Sequence, residues 1–350
     1  MQPQSIIGFR ASQRRVGPLA ATLAVLAVLV VAPAARGAAA EPPAAAPADP
    51  FAGVKRVVVL GDSITQGGQY VDDLEAELLL AGRRVEVLDV GLSSETVSGL
   101  SEPGHAGGKF PRPDLHERLD RVLAKAKPDL VIACYGMNDG IYLPLSDERF
   151  GAFKAGMTKL HDKAVAAGAR IVHCTPPPFD PVPIKAKVAP AEKADGNHPY
   201  EKYDDVLAAY GQWLLDQRAK GWQVIDVGGP VRAKVAERRK ADPAFTFSRD
   251  GVHPDAAGHA VMAEAIARGL GVPADEGHKK FGDPADAASV RARLRKLVNA
   301  RRQITQHAWL TETGHKRPGV KPGLPMDQAN EKAAAVTKEI EKVLAEAGVK

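Results

Sequence analysis

The chain has little with which to staple itself together or hold an ion. Two cysteines in 350 residues exclude a disulfide scaffold and any four-cysteine metal knuckle. Aromatic residues make up only 5%. Beyond residue 50, no stretch approaches the roughly 20 consecutive apolar residues of a membrane span. No His, Cys, Asp or Glu spacing argues for a metal and no glycine-rich loop is built to cradle phosphate, so no cofactor is expected. What remains is the composition of a globular protein, 45% hydrophobic and 25% charged. The length suits one large domain with extras, or two domains.

The formal charge of +5 is unevenly placed. Residues 279–350 hold 15 Lys and Arg against 8 Asp and Glu, a net +7, which leaves −2 for residues 1–278. Basic character therefore belongs to the tail and the leader, and no nucleic-acid partner is expected for the middle of the chain.

Residues 1–40 read as a secretory signal. Arg10, Arg14 and Arg15 precede an apolar run from Leu19 to Ala32, and Ala38, Ala39 and Ala40 offer a cleavage site before Glu41. Residues 41–53, rich in Pro and Ala, read as a tether. The mature protein is thus expected to begin near Phe51, outside the cytoplasm, secreted or periplasmic, with no stable membrane insertion after cleavage.

From residue 54 onward, short apolar runs alternate with helical periodicity. The runs predict strands at Arg56–Leu60, Val85–Leu88, Leu130–Cys134, Arg170–Cys174 and Gln223–Ile225. Helices are predicted at 70–81, 114–126, 146–167, 203–219, 230–240 and 255–269. Gly82 and Gly168 stand where C-terminal caps belong, and Asp114 with Glu117 has capping-box spacing. Five such units predict an α/β protein with a flavodoxin-like, three-layer architecture: a parallel five-stranded sheet with helices on both faces. Residues 54–272 form this domain. Residues 273–350 form a basic helical extension, with helices at 287–306 and 327–347 and a Gly/Pro-rich segment between them. In open parallel sheets, ligands bind beyond the carboxyl ends of the strands.

Three strand or helix ends carry suggestive residues. Ser63 follows Gly61-Asp62 on a glycine-flanked strand-to-helix turn, a position suited to a nucleophile but also to a structural turn. Asn138 follows the third strand, where it can donate an amide or merely cap a turn. Asp250 and His253 stand three apart before Pro254, at the start of the last helix. The Asp250 carboxylate can reach Nδ1 of His253 and leave Nε2 to take a proton from a serine. Alternatively, the two form an ordinary surface pair.

Taken together with Gly91 past the second strand, Ser63, Asn138, Asp250 and His253 resemble the blocks of the SGNH (GDSL-type) hydrolase family, in the family's order over residues 54–270. The resemblance implies a serine esterase with Ser63 as nucleophile, His253 as base and Asp250 as its orienting partner. The backbone N–H groups of Ser63 and Gly91 and the Asn138 side chain would form the oxyanion hole. Two positions depart from the pattern. Asp89-Val90-Gly91 stands where the family has Asn-x-Gly, and Ile64 replaces the leucine of the nickname.

The loop Ser93–Pro113 is long and polar, which suits a hydroxyl-rich ligand and a small acyl group better than a fatty chain. The family's secreted bacterial carbohydrate O-acetylesterases are the branch the chain resembles. Its expected partner is therefore a small-molecule or polysaccharide ester. Asp62, Glu95, His105, Tyr142 and Phe179 are the candidate substrate contacts. A lysophospholipase or thioesterase of the same fold, and a non-catalytic carbohydrate-binding relative, are the alternatives. Oligomeric state stays open. His173, inside an apolar strand, reads as a core residue, and Cys134 and Cys174 as buried free thiols. Trp309 reads as an anchor for the tail, in preference to a flap at the site.

Overall fold

A computed structural model describes residues 49–272, 280–283 and 285–349. The expected signal segment and residues 41–48 of the tether lie outside these. Residues 49–53 are seated on the domain: Phe51 is buried and stacks under Arg83, which also pairs with Asp49.

All five predicted strands form: β1 Arg56–Gly61, β2 Glu86–Asp89, β3 Leu130–Cys134, β4 Arg170–Cys174 and β5 Gln223–Ile225. They are parallel and ordered β2-β1-β3-β4-β5, the doubly wound order with its switch point between β1 and β3. The strand interiors are apolar, apart from His173 in β4, because both faces of the sheet are covered.

The helices are α1 Ser63–Gly67, α2 Gln69–Leu80, the short turn α3 His105–Gly108, α4 Leu115–Ala126, α5 Asp147–Ala166, α6 Tyr203–Asp216, α7 Gly228–Arg239, α8 Ala256–Gly269, α9 Val290–Thr313 and α10 Met326–Glu346. Right-handed crossovers put α2, which leads from β1 outward to β2, on the face opposite α4, α5 and α6, which serve the connections running the other way. The terminal α8 returns to the α2 side and packs along it. The sequence pattern shows no break at α1. This five-residue helix arises because the Asp62 side chain caps it by accepting the Ile64 N–H at 2.9 Å.

The extension is built into this frame. α9 packs against α2 and β2, and Trp309 is buried in the main core with Arg56 over its ring. α9 runs seven residues past its predicted end, which is why Trp309 lies on a helix. A second apolar cluster joins Leu79 and Leu80 of α2 to Leu294 and Val298 of α9 and Ile340, Val343 and Leu344 of α10. Four carboxylates of α2 each meet an arginine of α9: Asp72 with Arg302, Asp73 with Arg295, Glu75 with Arg301 and Glu77 with Arg291. Four of the tail's arginines thus neutralise this acidic helix.

Cys134 and Cys174 are buried and free, and they oppose each other on β3 and β4. His173 is fully buried against Trp222, and burial drives its pKa down to about 3.

Candidate active site

β1 and α1 bring Ser63 to the carboxyl edge of the sheet as the first residue of a helix. That position leaves its N–H outside the helical ladder. From the far end of the domain, the loop before α8 brings Asp250 and His253 to the same place. His253 Nε2 lies 2.8 Å from Ser63 Oγ, and His253 Nδ1 lies 2.7 Å from Asp250 Oδ2. The other Asp250 oxygen accepts the backbone N–H groups of Val252 and His253 at 2.9 and 2.8 Å. A carboxylate against Nδ1 places the ring proton there and leaves Nε2 as the acceptor for the serine hydroxyl. Burial opposes the Asp250 charge, but the His253 N–H, the imidazole and the Val252 N–H outweigh it and hold the carboxyl below its ordinary range.

The loop between Asp250 and His253 is fixed from outside. Asp180 donates its N–H to Gly251 O at 2.8 Å, and its carboxylate is gripped by Arg239. Pro254 lies two residues before α8, outside the helix. The helix begins at Ala256 and is capped by Asp255, which accepts the Gly258 N–H at 3.0 Å.

Asn138 is buried in the loop after β3, the strand next to β1. Its Nδ2 donates to Glu95 O at 3.1 Å, while its Oδ1 accepts from Arg112 Nη1 at 2.9 Å and from the Tyr142 hydroxyl at 3.3 Å. Two donors on the oxygen fix which way the amide faces and leave its second N–H uncommitted. Arg112 is buried, held bidentately by Glu102 at 2.7 Å on each arm, and stacked over Tyr142. Sequence reasoning placed Arg112 only in a polar loop and missed this role. Ile141 and Tyr142 both have left-handed φ, +47° and +58°, so the turn after Asn138 is strained at the site.

Several expected contacts are corrected. Glu95 is completely buried, paired with Arg118 at 2.6 Å and accepting from the Tyr135 hydroxyl at 2.7 Å, so it faces the interior and not a substrate. Phe179 is packed edge-on against Tyr142 and Tyr203 and is equally buried. The Asp62 carboxyl is buried as the α1 cap, and burial pushes its pKa up to about 7. His105 turns into its own loop, near Glu102 at 3.3 Å and edge-on to Phe110, and reaches Asn138 only through Glu102 and Arg112. Of the five, His105 and Tyr142 are partly exposed, and Tyr142 has its hydroxyl on Asn138.

Gly91 also departs from expectation. Its N–H donates to Asp89 Oδ1 at 2.9 Å instead of standing free. The glycine has a packing reason of its own, since a Cβ there would lie 2.5 Å from Gln66 N.

A model of the GDSL-like lipase/acylhydrolase family matches residues 59–261. This is more than half of the chain, and the protein belongs to that family of carboxylic ester hydrolases. No curated protein matches it. Among solved structures, the chain is similar to a gut microbial diltiazem-metabolizing enzyme at 22% identity and a TM-score of 0.48. That match covers 62% of this chain and 47% of the other, so this chain spans under half the length of that relative. It is also similar to an alpha/beta hydrolase from the metagenome of Lake Arreo, Spain, at 23% identity and TM-score 0.44, covering 62% and 95%. An acetylxylan esterase from Geobacillus stearothermophilus matches at 20% identity and TM-score 0.45, covering 63% and 95%. These likenesses concern the fold alone.

Proposed function

We propose that the protein is a serine esterase that removes small acyl groups, in the first place O-acetyl, from carbohydrate. The observation that carries the reading is the hydrogen-bonded chain from Ser63 through His253 to Asp250 at the carboxyl edge of the sheet. Ser63 Oγ attacks the ester carbonyl as its proton passes to His253 Nε2. The tetrahedral intermediate then expels the alcohol, which takes that proton from the imidazolium. Water repeats the sequence on the acyl-Ser63, releasing the acid and restoring the serine. The Ser63 N–H and the free N–H of Asn138 are the donors at hand for the oxyanion.

The openness of the site supports a bulky alcohol portion. The His253 and Asp250 side chains are 49% and 58% exposed, so a large sugar polymer can approach them. Large exposed apolar side chains among the described residues are scattered, at Leu145, Val165 and Val182, which gives little support to a groove for a fatty chain. The leader at residues 1–40 supports action outside the cytoplasm.

The test is acetate release from a panel of acetylated polysaccharides, run beside p-nitrophenyl acetate and octanoate. The reading expects acetate from at least one polymer and preference for the short ester. Ser63→Ala should lose at least about 10³-fold in kcat and all labelling by a fluorophosphonate. Strong preference for octanoate would favour a lysophospholipase or thioesterase, and wild-type rates from Ser63→Ala would end the esterase reading.

A further inference from the structure

α1 is too short to hold itself in place. A five-residue helix closes about one turn, and its last carbonyls have no partner within it. Those carbonyls find partners more than two hundred residues away, on α9. Gln306 Nε2 donates to Gln66 O at 3.0 Å, and Arg302 Nη2 donates to Gly67 O at 3.2 Å. The guanidinium occupies the space a side chain at Gly68 would need, its Cζ lying 2.0 Å from where a Cβ would stand. With φ at +74°, Gly68 serves both the turn and the arginine.

The same two side chains hold Asp89. Gln306 Nε2 lies 2.7 Å from Asp89 Oδ2, and Arg302 Nη1 lies 3.5 Å from it. The other oxygen, Oδ1, takes the Gly91 N–H. Asp89 is fully buried. Burial pushes its pKa up to about 6, and Arg302 opposes that rise. Arg302 is in turn fixed on Asp72, with Nε at 2.6 Å, and Asn299 bonds the other Asp72 oxygen at 2.6 Å. One side-chain network therefore joins α9 to the turn carrying Gly91 and to the end of the helix carrying Ser63.

We propose that α9 is a positioning element of the esterase site. Arg302 and Gln306 set the α1 terminus directly and the Gly91 turn through Asp89. The proposal rests on the esterase reading of Ser63 above. Neither side chain touches the substrate; both brace the end of the helix that starts at Ser63.

The test measures kcat and KM on p-nitrophenyl acetate and the rate of fluorophosphonate labelling in the full-length exported protein. Gln306→Leu and Arg302→Met are expected to lower kcat and labelling by about tenfold to hundredfold with little change in KM. Arg293→Ala, which removes an exposed pair with Glu346, serves as the control on the same helix and should keep wild-type rates. Arg302→Met leaves two buried carboxylates without their cation, Asp72 and Asp89. Adding Asp89→Asn neutralises the one next to the Gly91 turn and should recover part of the loss, at least about threefold, a rescue that general weakening of the tail would not give. If Arg302→Met does not fold, Gln306→Leu, which keeps the guanidinium, decides alone. Folded variants with kcat within about twofold of wild type, or a loss that Asp89→Asn leaves untouched, overturn the proposal. A wild-type protein inert to both reagents would remove the esterase reading as well, whereas an active wild type beside fully active variants removes only this proposal.

Discussion

The Asn138 amide is held by its oxygen, which leaves its geometry to Arg112 and Tyr142 and not to a substrate. A donor already aimed costs no reorganisation when charge develops on the carbonyl oxygen. Asn138→Ala should therefore lower kcat by about 10²- to 10³-fold on p-nitrophenyl acetate while KM moves little; an unchanged kcat would remove Asn138 from the oxyanion site. At this scale, Ser63, Asn138, Asp250 and His253 were legible because each stands in a short glycine-rich or glycine-and-proline-bounded turn at a predicted element end. Arg112 was not, because its partners Glu102 and Asn138 lie 10 and 26 positions off across a loop with no periodicity. Glu95 and Phe179 misled for a related reason. A polar or aromatic residue in a loop looks exposed until the fold supplies Arg118 for one and an aromatic cluster for the other.

At the scale of elements, the α2–α9 interface carries four carboxylate–arginine pairs. Glu75 is buried, which raises its pKa from 4.5 to about 7 despite Arg301 at 2.6 Å. Between those values the folded chain holds more protons at this position than the unfolded chain does. The stability this group contributes therefore falls as pH rises toward 7. Arg301→Met removes the opposing cation and raises the carboxyl further. The variant should lose about 3 kcal/mol at pH 8, and the deficit should shrink markedly by pH 5.5, where Glu75 is protonated. Urea unfolding at the two pH values checks this, and a pH-independent deficit would rule out Glu75 as the cause. Strands and crossover helices were readable from apolar runs and their period. The pairing of acidic α2 with basic α9 was not, since some two hundred residues separate them and each alone looks like a solvated amphipathic helix.

For the molecule as a whole, α9 and α10 cover one side of the sheet's supporting helix. Deleting residues 287–350 would uncover Ala76, Leu79 and Leu80 and leave Asp72, Asp73, Glu75 and Glu77 without their arginines. Buried carboxylates stripped of partners are strongly destabilising. The truncated protein should be insoluble or should lose its cooperative thermal transition, as followed by sedimentation and circular dichroism. A soluble, cooperatively folding fragment would show the domain to be self-sufficient.

The link from Gln306 back to Gln66 has a bearing on timing. A polypeptide is made from its amino end, so Ser63 emerges long before the segment that carries Gln306. On the reading proposed above, an unfinished or clipped copy would carry Ser63, Asp250 and His253 and still lack the support beneath the serine helix, so full activity would wait until nearly the whole polypeptide had been made.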